Sequence, residues 1–224
     1  MLLGIIADVH SNLPALESVL HALELEKIDK IIHGGDIVGY NPYPNEVIEI
    51  LKERKVISIL GNHDRAVLAQ DTLGLNPYAA QAVLWTIDKL TSESYEYLRT
   101  LKAREKLNLG KQISIIHGSP WNDDEYVYEY ELTPDFLTEV KAEVLIYGHT
   151  HVPCIKRFSK GLIINPGSVG QPRDCNPRAS YAVLDLATEK ADVKRVIYDT
   201  KAVMKKILKE GLPEFLAQRL ALGI

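Results

Sequence analysis

The sequence predicts an α/β protein built on parallel strands, and three observations predict it. Short apolar runs at Leu2 to Ala7, Ile31-Ile32 and Val56 to Leu60 read as buried strands. Between them lie segments whose apolar residues recur at helical spacing, so the order is strand–helix–strand–helix–strand, which implies parallel strands with right-handed crossovers. The runs also end in residues that bind cations or move protons.

Composition sets the bounds. The chain has 224 residues, a length that fits one domain over 1–224 with a core of its own. It is 46% hydrophobic and 25% charged, ordinary for a soluble globular protein. The net charge of −4 argues against a nucleic-acid partner, which needs a basic face. A small phosphorylated substrate is compatible with it, because metal ions can meet that charge locally. Cys154 and Cys175 form no C-x-x-C pair and read as two reduced thiols of a cytoplasmic protein. The N-terminus lacks a basic leader, and no apolar run reaches the ~18 residues a membrane span needs, so no membrane partner is expected.

The first strand ends in Asp8-Val9-His10-Ser11-Asn12. Residues i and i+2 of an extended segment point the same way, so Asp8 and His10 can reach one ion. Asn12 is a helix cap with Pro14 in the first turn, and Leu13, Leu16, Leu20 and Leu23 keep a helical spacing. His21 reads as a surface residue of that helix. The second strand runs into His33-Gly34-Gly35-Asp36, which puts Asp36 where Asp8 stood; His33 reads as packing beneath the site. Pro44 starts a second helix. The third strand ends in Gly61-Asn62-His63-Asp64, where the glycine is expected to let the chain turn sharply. Helices follow from Asn76-Pro77 and from Thr91.

From Glu105 the apolar period falls to two. Lys106 to Leu109 and Gln112 to Ile116 form a hairpin, and the second arm ends in His117. Residues 121–131 hold Trp121, three tyrosines and five acids without helical period. That favours a solvated or self-associating loop, which leaves room for a homo-oligomer, over a rim that stacks an aromatic or nucleoside leaving group. Thr133-Pro134 opens a short helix. A strand over Glu143 to Tyr147 ends in Gly148-His149-Thr150-His151, with two histidines again at i and i+2. Two further hairpins and an amphipathic helix from Thr200 to near Gly211 complete the chain.

Five apolar runs therefore end in metal-competent residues, and five of the seven histidines are among them. The ends of strands are where open α/β sheets bind ligands. Burying so much polarity without partners would cost several kcal/mol per group, so packing alone is a poor explanation. The donors are oxygen and nitrogen with no thiolate. Such a set suits manganese, iron, cobalt, nickel or zinc, and there are enough donors for two divalent metal ions that share one carboxylate.

The series Asp8-x-His10, Gly35-Asp36, Gly61-Asn62-His63-Asp64, His117 and Gly148-His149-Thr150-His151 resembles the calcineurin-like metallophosphoesterase superfamily. The likeness runs from Leu2 to about Leu186. The loop Asn165-Pro166-Gly167-Ser168 resembles that of its small prokaryotic phosphodiesterase branch. The resemblance implies a four-layer α/β/β/α sandwich, two mixed sheets face to face with helices outside. It implies that Asp8, His10 and His151 bind one metal, that Asn62, His117 and His149 bind the other, and that Asp36 bridges. It implies phosphodiester hydrolysis by metal-bound hydroxide, with Asn62 steadying the phosphoryl oxygens and His63, held by Asp64, as general acid.

One departure bears on substrate. The protein phosphatases of the family carry an arginine in the loop after the bridging aspartate, and this chain has Ile37-Val38-Gly39-Tyr40 there. That disfavours phosphoproteins and favours diesters or small phosphorylated molecules, with a phosphomonoesterase as the alternative. Arg65, Arg173 and Arg178 are the candidates to replace the missing cation. Scaffold members of the superfamily tend to lose the acid histidine; His63 and all seven ligand positions are intact here, which favours an enzyme.

Overall fold

The apolar runs do form the strands, and the sheets take their order from the crossovers. The computed structural model describes all 224 residues. The first half contains β1 (Leu2–Ile6), α1 (Leu13–Leu25), β2 (Lys30–His33), α2 (Pro44–Glu53), β3 (Ile57–Ser58), α3 (Asn62–Ala69), α4 (Pro77–Lys89) and α5 (Ser92–Thr100). The second half contains β4 (Glu105–Asn108), β5 (Gln112–Ile115), α6 (Pro134–Val140), β6 (Val144–Ile146), β7 (Cys154–Phe158), β8 (Gly161–Asn165), β9 (Ala179–Asp185), β10 (Lys190–Val196), α7 (Thr200–Lys209) and α8 (Glu214–Leu222).

Two five-stranded mixed sheets result, ordered β10-β9-β1-β2-β3 and β4-β5-β6-β8-β7. β1, β2 and β3 are parallel, and so are β5, β6 and β8; hairpin partners complete each sheet antiparallel. The sheets face each other across a core that includes Leu3, Ile5 and Ala182 from one and Ile113, Ile146 and Ile164 from the other. A larger core packs helices on the outside of the first sheet, through Leu16, Val47, Val83 and Ile207. On the outside of the second sheet, α6 and the chain before it supply Val127, Leu132, Phe136 and Leu137. These are the four layers that the resemblance implied.

Local chemistry sets the helix ends. Asn12, Asn76, Thr91 and Asp199 each accept a hydrogen bond from a first-turn N–H, which satisfies donors that the helix itself cannot.

Two expectations fail in detail. β3 is only two residues long because Leu60 gives its N–H to the Lys102 carbonyl instead of to a neighbouring strand. The chain also does not turn on the conformational freedom of Gly61. Its φ is −93°, open to any residue, and α3 starts at the next residue. Glycine is needed there for clearance, since a Cβ would fall on the Asp36 carboxylate. The tail holds a helix that the spacing did not predict. α7 stops at Lys209, and Pro213 starts α8, which buries Leu216, Ala217 and Leu220. No helix is long and apolar enough to cross a membrane.

Candidate metal centre

The parallel strands bring their carboxyl ends to one edge, and the metal-competent residues meet there. The backbone is bent to place them. Asp8, His10, Asp36, His149 and His151 all have φ between 46° and 69°, a left-handed region costly for side-chain-bearing residues. Such outliers persist where the surrounding structure over-determines them, which is common at functional sites. Here the surroundings are visible. Asp8 N–H donates to the Gly35 carbonyl and His10 N–H to the Asp36 carbonyl, which ties the first two strand ends together. The loop after β8 braces them: Ser168 Oγ donates to the Asp8 carbonyl, and Asn165 Nδ2 donates to the Gly148 carbonyl.

Hydrogen bonds fix the histidine tautomers. His10 Nδ1 faces the Val38 carbonyl at 3.0 Å, His117 Nδ1 the Gly34 carbonyl at 2.9 Å, and His151 Nδ1 the Gln171 carbonyl at 2.5 Å. A carbonyl only accepts, so each Nδ1 holds a proton, and in the neutral ring that can bind a cation each Nε2 presents a lone pair. His149 is reversed: its Nε2 faces the Asp124 carbonyl at 3.1 Å, which leaves Nδ1 free. The lone pairs then converge. His10 Nε2 is 3.2 Å from His151 Nε2 and 3.4 Å from Asp36 Oδ2. His117 Nε2 is 3.4 Å from the same Asp36 oxygen and 3.1 Å from Asn62 Oδ1. His151 Nε2 is 3.4 Å from Asp8 Oδ1. Asp8 Oδ2 is buried with no partner at all.

Lone pairs facing lone pairs, and a buried carboxylate oxygen without a donor, repel unless cations lie among them. The donors form two groups. Asp8, His10, Asp36 and His151 place ligand atoms within 4.8 Å of one another, and so do Asp36, His117 and His149. Asp36 belongs to both. All six are buried. This is a buried Asp/His cluster compatible with a dinuclear divalent metal site.

Without ions the cluster's protons are displaced accordingly. Burial pushes Asp8 up to about 8, against the pull of His117. Burial works on Asp36 in the same direction, but His117, His63 and His10 around it outweigh that and hold it well below the usual carboxylate range. Burial lowers His149 to about 3 and His10 and His151 well below the ordinary imidazole value; it acts on His117 in the same direction, but Asp36 beside it outweighs burial and lifts His117 to about 9.

His63 lies beside the cluster, its ring 4.6 Å from that of His10 and 4.5 Å from that of Tyr40. The expected Asp64–His63 hydrogen bond is absent. Asp64 accepts instead from the backbone N–H groups of Ile37, Val38 and Gly61, and so pins the loop after β2 to the start of α3. His63 Nδ1 is buried without a partner against Gly39. His33 packs beneath, its Nδ1 accepting from Gly35 N–H.

A cavity of about 550 Å³ opens from the cluster over α3. Tyr40, Asn62, His63 and His149 line its inner end, and Ala69, Leu73 and Leu75 its outer end. The acidic aromatic stretch divides. Tyr126, though half exposed, stacks on His149 with centroids 4.0 Å apart and lines the cavity, whereas Trp121 meets Phe136 edge-on and Tyr130 is exposed. Its sequence held no sign of this division, because only the fold decides which tyrosine faces the histidine.

The three candidate arginines differ. Arg65 lines the cavity but pairs with Asp124. Arg178 is exposed, its backbone engaged by Asn176 and Arg195, and does not join the cluster. Arg173 lies between the hydroxyls of Tyr40 and Tyr126, at 3.3 and 3.4 Å. Nothing in the sequence pattern pointed to Arg219, whose guanidinium lies 5.7 Å from the centroid of the same Tyr40 ring. It belongs to α8, the helix that the sequence pattern did not reveal.

The fold and the site together define an α/β sandwich with a histidine–aspartate metal centre at one sheet edge. Residues 1–189 match the family model of the calcineurin-like phosphoesterase superfamily domain, and the chain belongs to that family. An uncharacterized protein of Methanocaldococcus jannaschii is 37% identical, over 99% of this chain and 98% of that one. Phosphodiesterase YfcE of Escherichia coli is 29% identical, over 80% of this chain and 84% of its own. A metallophosphoesterase from Sphaerobacter thermophilus has a solved structure with a TM-score of 0.87 and 35% identity, covering 100% of this chain and 99% of that one.

Proposed function

We propose that the protein is a dinuclear-metal phosphodiesterase that hydrolyses a P–O bond of small phosphorylated or nucleotide substrates. The single observation that carries this reading is the membership of Asp36 in both donor groups. Asp8, His10, Asp36 and His151 would hold one ion, and Asp36, Asn62, His117 and His149 the other. Manganese is the proposed ion, from a donor set that also suits iron, cobalt, nickel and zinc. When bound, such a pair activates a water and neutralises charge on the phosphoryl oxygens.

The chain's own residues do the rest. Asn62, at the first position of α3, aims its amide at the cluster, where it also meets a phosphoryl oxygen. His63 lines the cavity and holds the proton for the leaving oxygen. Burial lowers its imidazolium to about 4, so it rests neutral at pH 7. An anionic substrate beside it raises that value and makes the ring a proton carrier as the substrate arrives. The cavity's apolar outer end receives the leaving group. The similarity to phosphodiesterase YfcE supports the diester preference. The unpaired thiols of Cys154 and Cys175 accord with the cytoplasmic location we propose.

The test is metal analysis together with hydrolysis of bis(p-nitrophenyl) phosphate and p-nitrophenyl phosphate in manganese, nickel, cobalt, zinc and iron(II). The expected result is two ions per chain and a higher kcat/KM for the diester. A preference for the monoester makes the protein a phosphomonoesterase, and no turnover with any ion makes it a scaffold.

A further inference from the structure

Arg173 is a cation at this site that no acid neutralises. It forms no ion pair with any carboxylate, whereas Arg65 is paired with Asp124. Its Nε is buried with no hydrogen-bond partner, and its two terminal nitrogens reach only phenol hydroxyls, at 3.3 and 3.4 Å. Neutral hydroxyls at such distances are weak partners for a guanidinium, which forms its strong bonds with carboxylate and phosphate.

Its position is fixed from the backbone. The Arg173 N–H donates to the His151 carbonyl at 3.3 Å, and the His151 ring in turn holds the Gln171 carbonyl. The residue that presents the guanidinium is therefore tied to a candidate metal ligand on both sides. Tyr40 and Tyr126 then hold the head group, and both rings line the cavity. Arg173 is also a neighbouring cation that bears on Asp8, His10, His63, His149 and His151. Arg219 adds a second guanidinium on the Tyr40 ring, with Gln171 turning its amide oxygen toward it. Two guanidiniums lie about one aromatic ring, and an anion between them and the cluster would relieve the repulsion.

We propose that Arg173 is the phosphoryl-binding cation of this site, replacing the arginine that the loop after Asp36 lacks. It grips a non-bridging phosphoryl oxygen of the substrate and of the product phosphate, while Tyr40 and Tyr126 hold it in place. The inference rests on the phosphodiesterase reading for its substrate, but not for its binding test.

The experiment uses Arg173→Gln, Arg173→Lys and Arg173→Gly in the full chain. Inorganic phosphate is titrated into each metal-loaded protein by calorimetry, and hydrolysis of bis(p-nitrophenyl) phosphate is followed in parallel. Arg173→Gln is expected to weaken phosphate binding at least tenfold and to lower kcat/KM about a hundredfold, with the ion content and melting temperature of the parent. Arg173→Lys is expected to recover part of both losses. Guanidinium chloride at low millimolar concentration is expected to restore turnover in Arg173→Gly, where sodium chloride does not. A lost side chain that only supported the loop would not be rescued by a free cation. Phosphate binding within twofold of the parent in Arg173→Gln, or no rescue of Arg173→Gly with its fold intact, overturns the proposal. If the parent binds phosphate but hydrolyses neither chromogenic ester, the phosphodiesterase reading fails, and the binding comparison still decides the role of Arg173.

Discussion

Asp36 Oδ1 accepts the backbone N–H of His63 at 2.9 Å, so the carboxylate shared by both donor groups also fixes the first turn of α3. Its other oxygen, Oδ2, lies 3.4 Å from both His10 Nε2 and His117 Nε2. One side chain therefore sets the spacing of the two candidate ion positions and the placement of the candidate acid. Asp36→Asn keeps the shape but halves the donor chemistry, since an amide presents one oxygen and an N–H₂. The expected outcome is fewer than one ion per chain by metal analysis and a loss of diester turnover of about a thousandfold or more.

Gly61 guards the same carboxylate. A Cβ there would occupy the position of Asp36 Oδ1 and crowd its backbone nitrogen. Neither atom can yield without moving a candidate ligand. Gly61→Ala is expected to lower metal affinity at least tenfold, measured by competition with a fluorescent chelator. Gly74 makes a control, because it has φ of +84° with open space around it. Gly74→Ala pays only left-handed backbone strain, roughly 1 kcal/mol, and should leave metal affinity alone.

His63 and Asp64 are adjacent in sequence but separate in role. His63→Asn is expected to keep both ions and lose most turnover on diesters with poor leaving groups, where a proton donor matters most. Full activity of that variant on such esters would remove His63 from the reaction. Asp64 accepts three backbone N–H groups, and Asp64→Ala would leave them buried without acceptors. Each lost partner costs about 1–3 kcal/mol, so this variant is expected to fall several kcal/mol in urea denaturation. If Asp64 instead steered the His63 proton, Asp64→Asn would shift the acid limb of the pH–rate profile. The backbone assignment expects no such shift.

What could be read in the sequence follows from what each signal depends on. The strand ends were legible because an apolar run that stops in Asp8-x-His10 or His149-x-His151 carries both its periodicity and its chemistry in a few residues. The caps at Asn12, Thr91 and Thr133 were equally local. Asp64 was misread because a carboxylate beside a histidine suggests a pair, and only the return of the β2 loop brings the Ile37 and Val38 N–H groups that, with the local N–H of Gly61, occupy it. Arg173 stood among three equal candidates, since no local pattern tells a guanidinium facing Tyr40 from one that meets Asp124. α8 was missed although Pro213 offered a helix start, because its nine residues carry only the short apolar stripe of Leu216, Ala217 and Leu220.

Acid should destabilise the metal-free protein through its buried histidines. His33 is held at about 3 by burial, with His117 adding to the effect, and His63 and His149 are held at about 4 and 3. In the unfolded chain each would titrate near 6.5. Their folded values are depressed, so as pH falls below 6.5 the unfolded state takes up protons that the folded state refuses. The contribution of these histidines is therefore full above 6.5 and is lost toward pH 3–4. Asp8 and Asp64, pushed up to about 8 and about 7 by burial, work the other way, since their folded forms hold protons that the unfolded chain releases above about 3.8. His117, which Asp36 raises to about 9 against the effect of burial, opposes the lowered histidines only between 9 and 6.5, and these three groups do not offset the five lowered histidines, His10, His33, His63, His149 and His151, below 6.5. Each histidine contributes about 1.4 kcal/mol per pH unit below 6.5, or about 2 kcal/mol by pH 5. His33 isolates the effect because it is not among the candidate ligands. Urea denaturation of chelator-stripped protein at pH 7.5 and pH 5 should show a loss that is smaller by about 2 kcal/mol in His33→Asn. Equal losses in parent and variant would mean that His33 accepts its proton in the folded state, and that the packing under Asp36 is looser than its burial indicates.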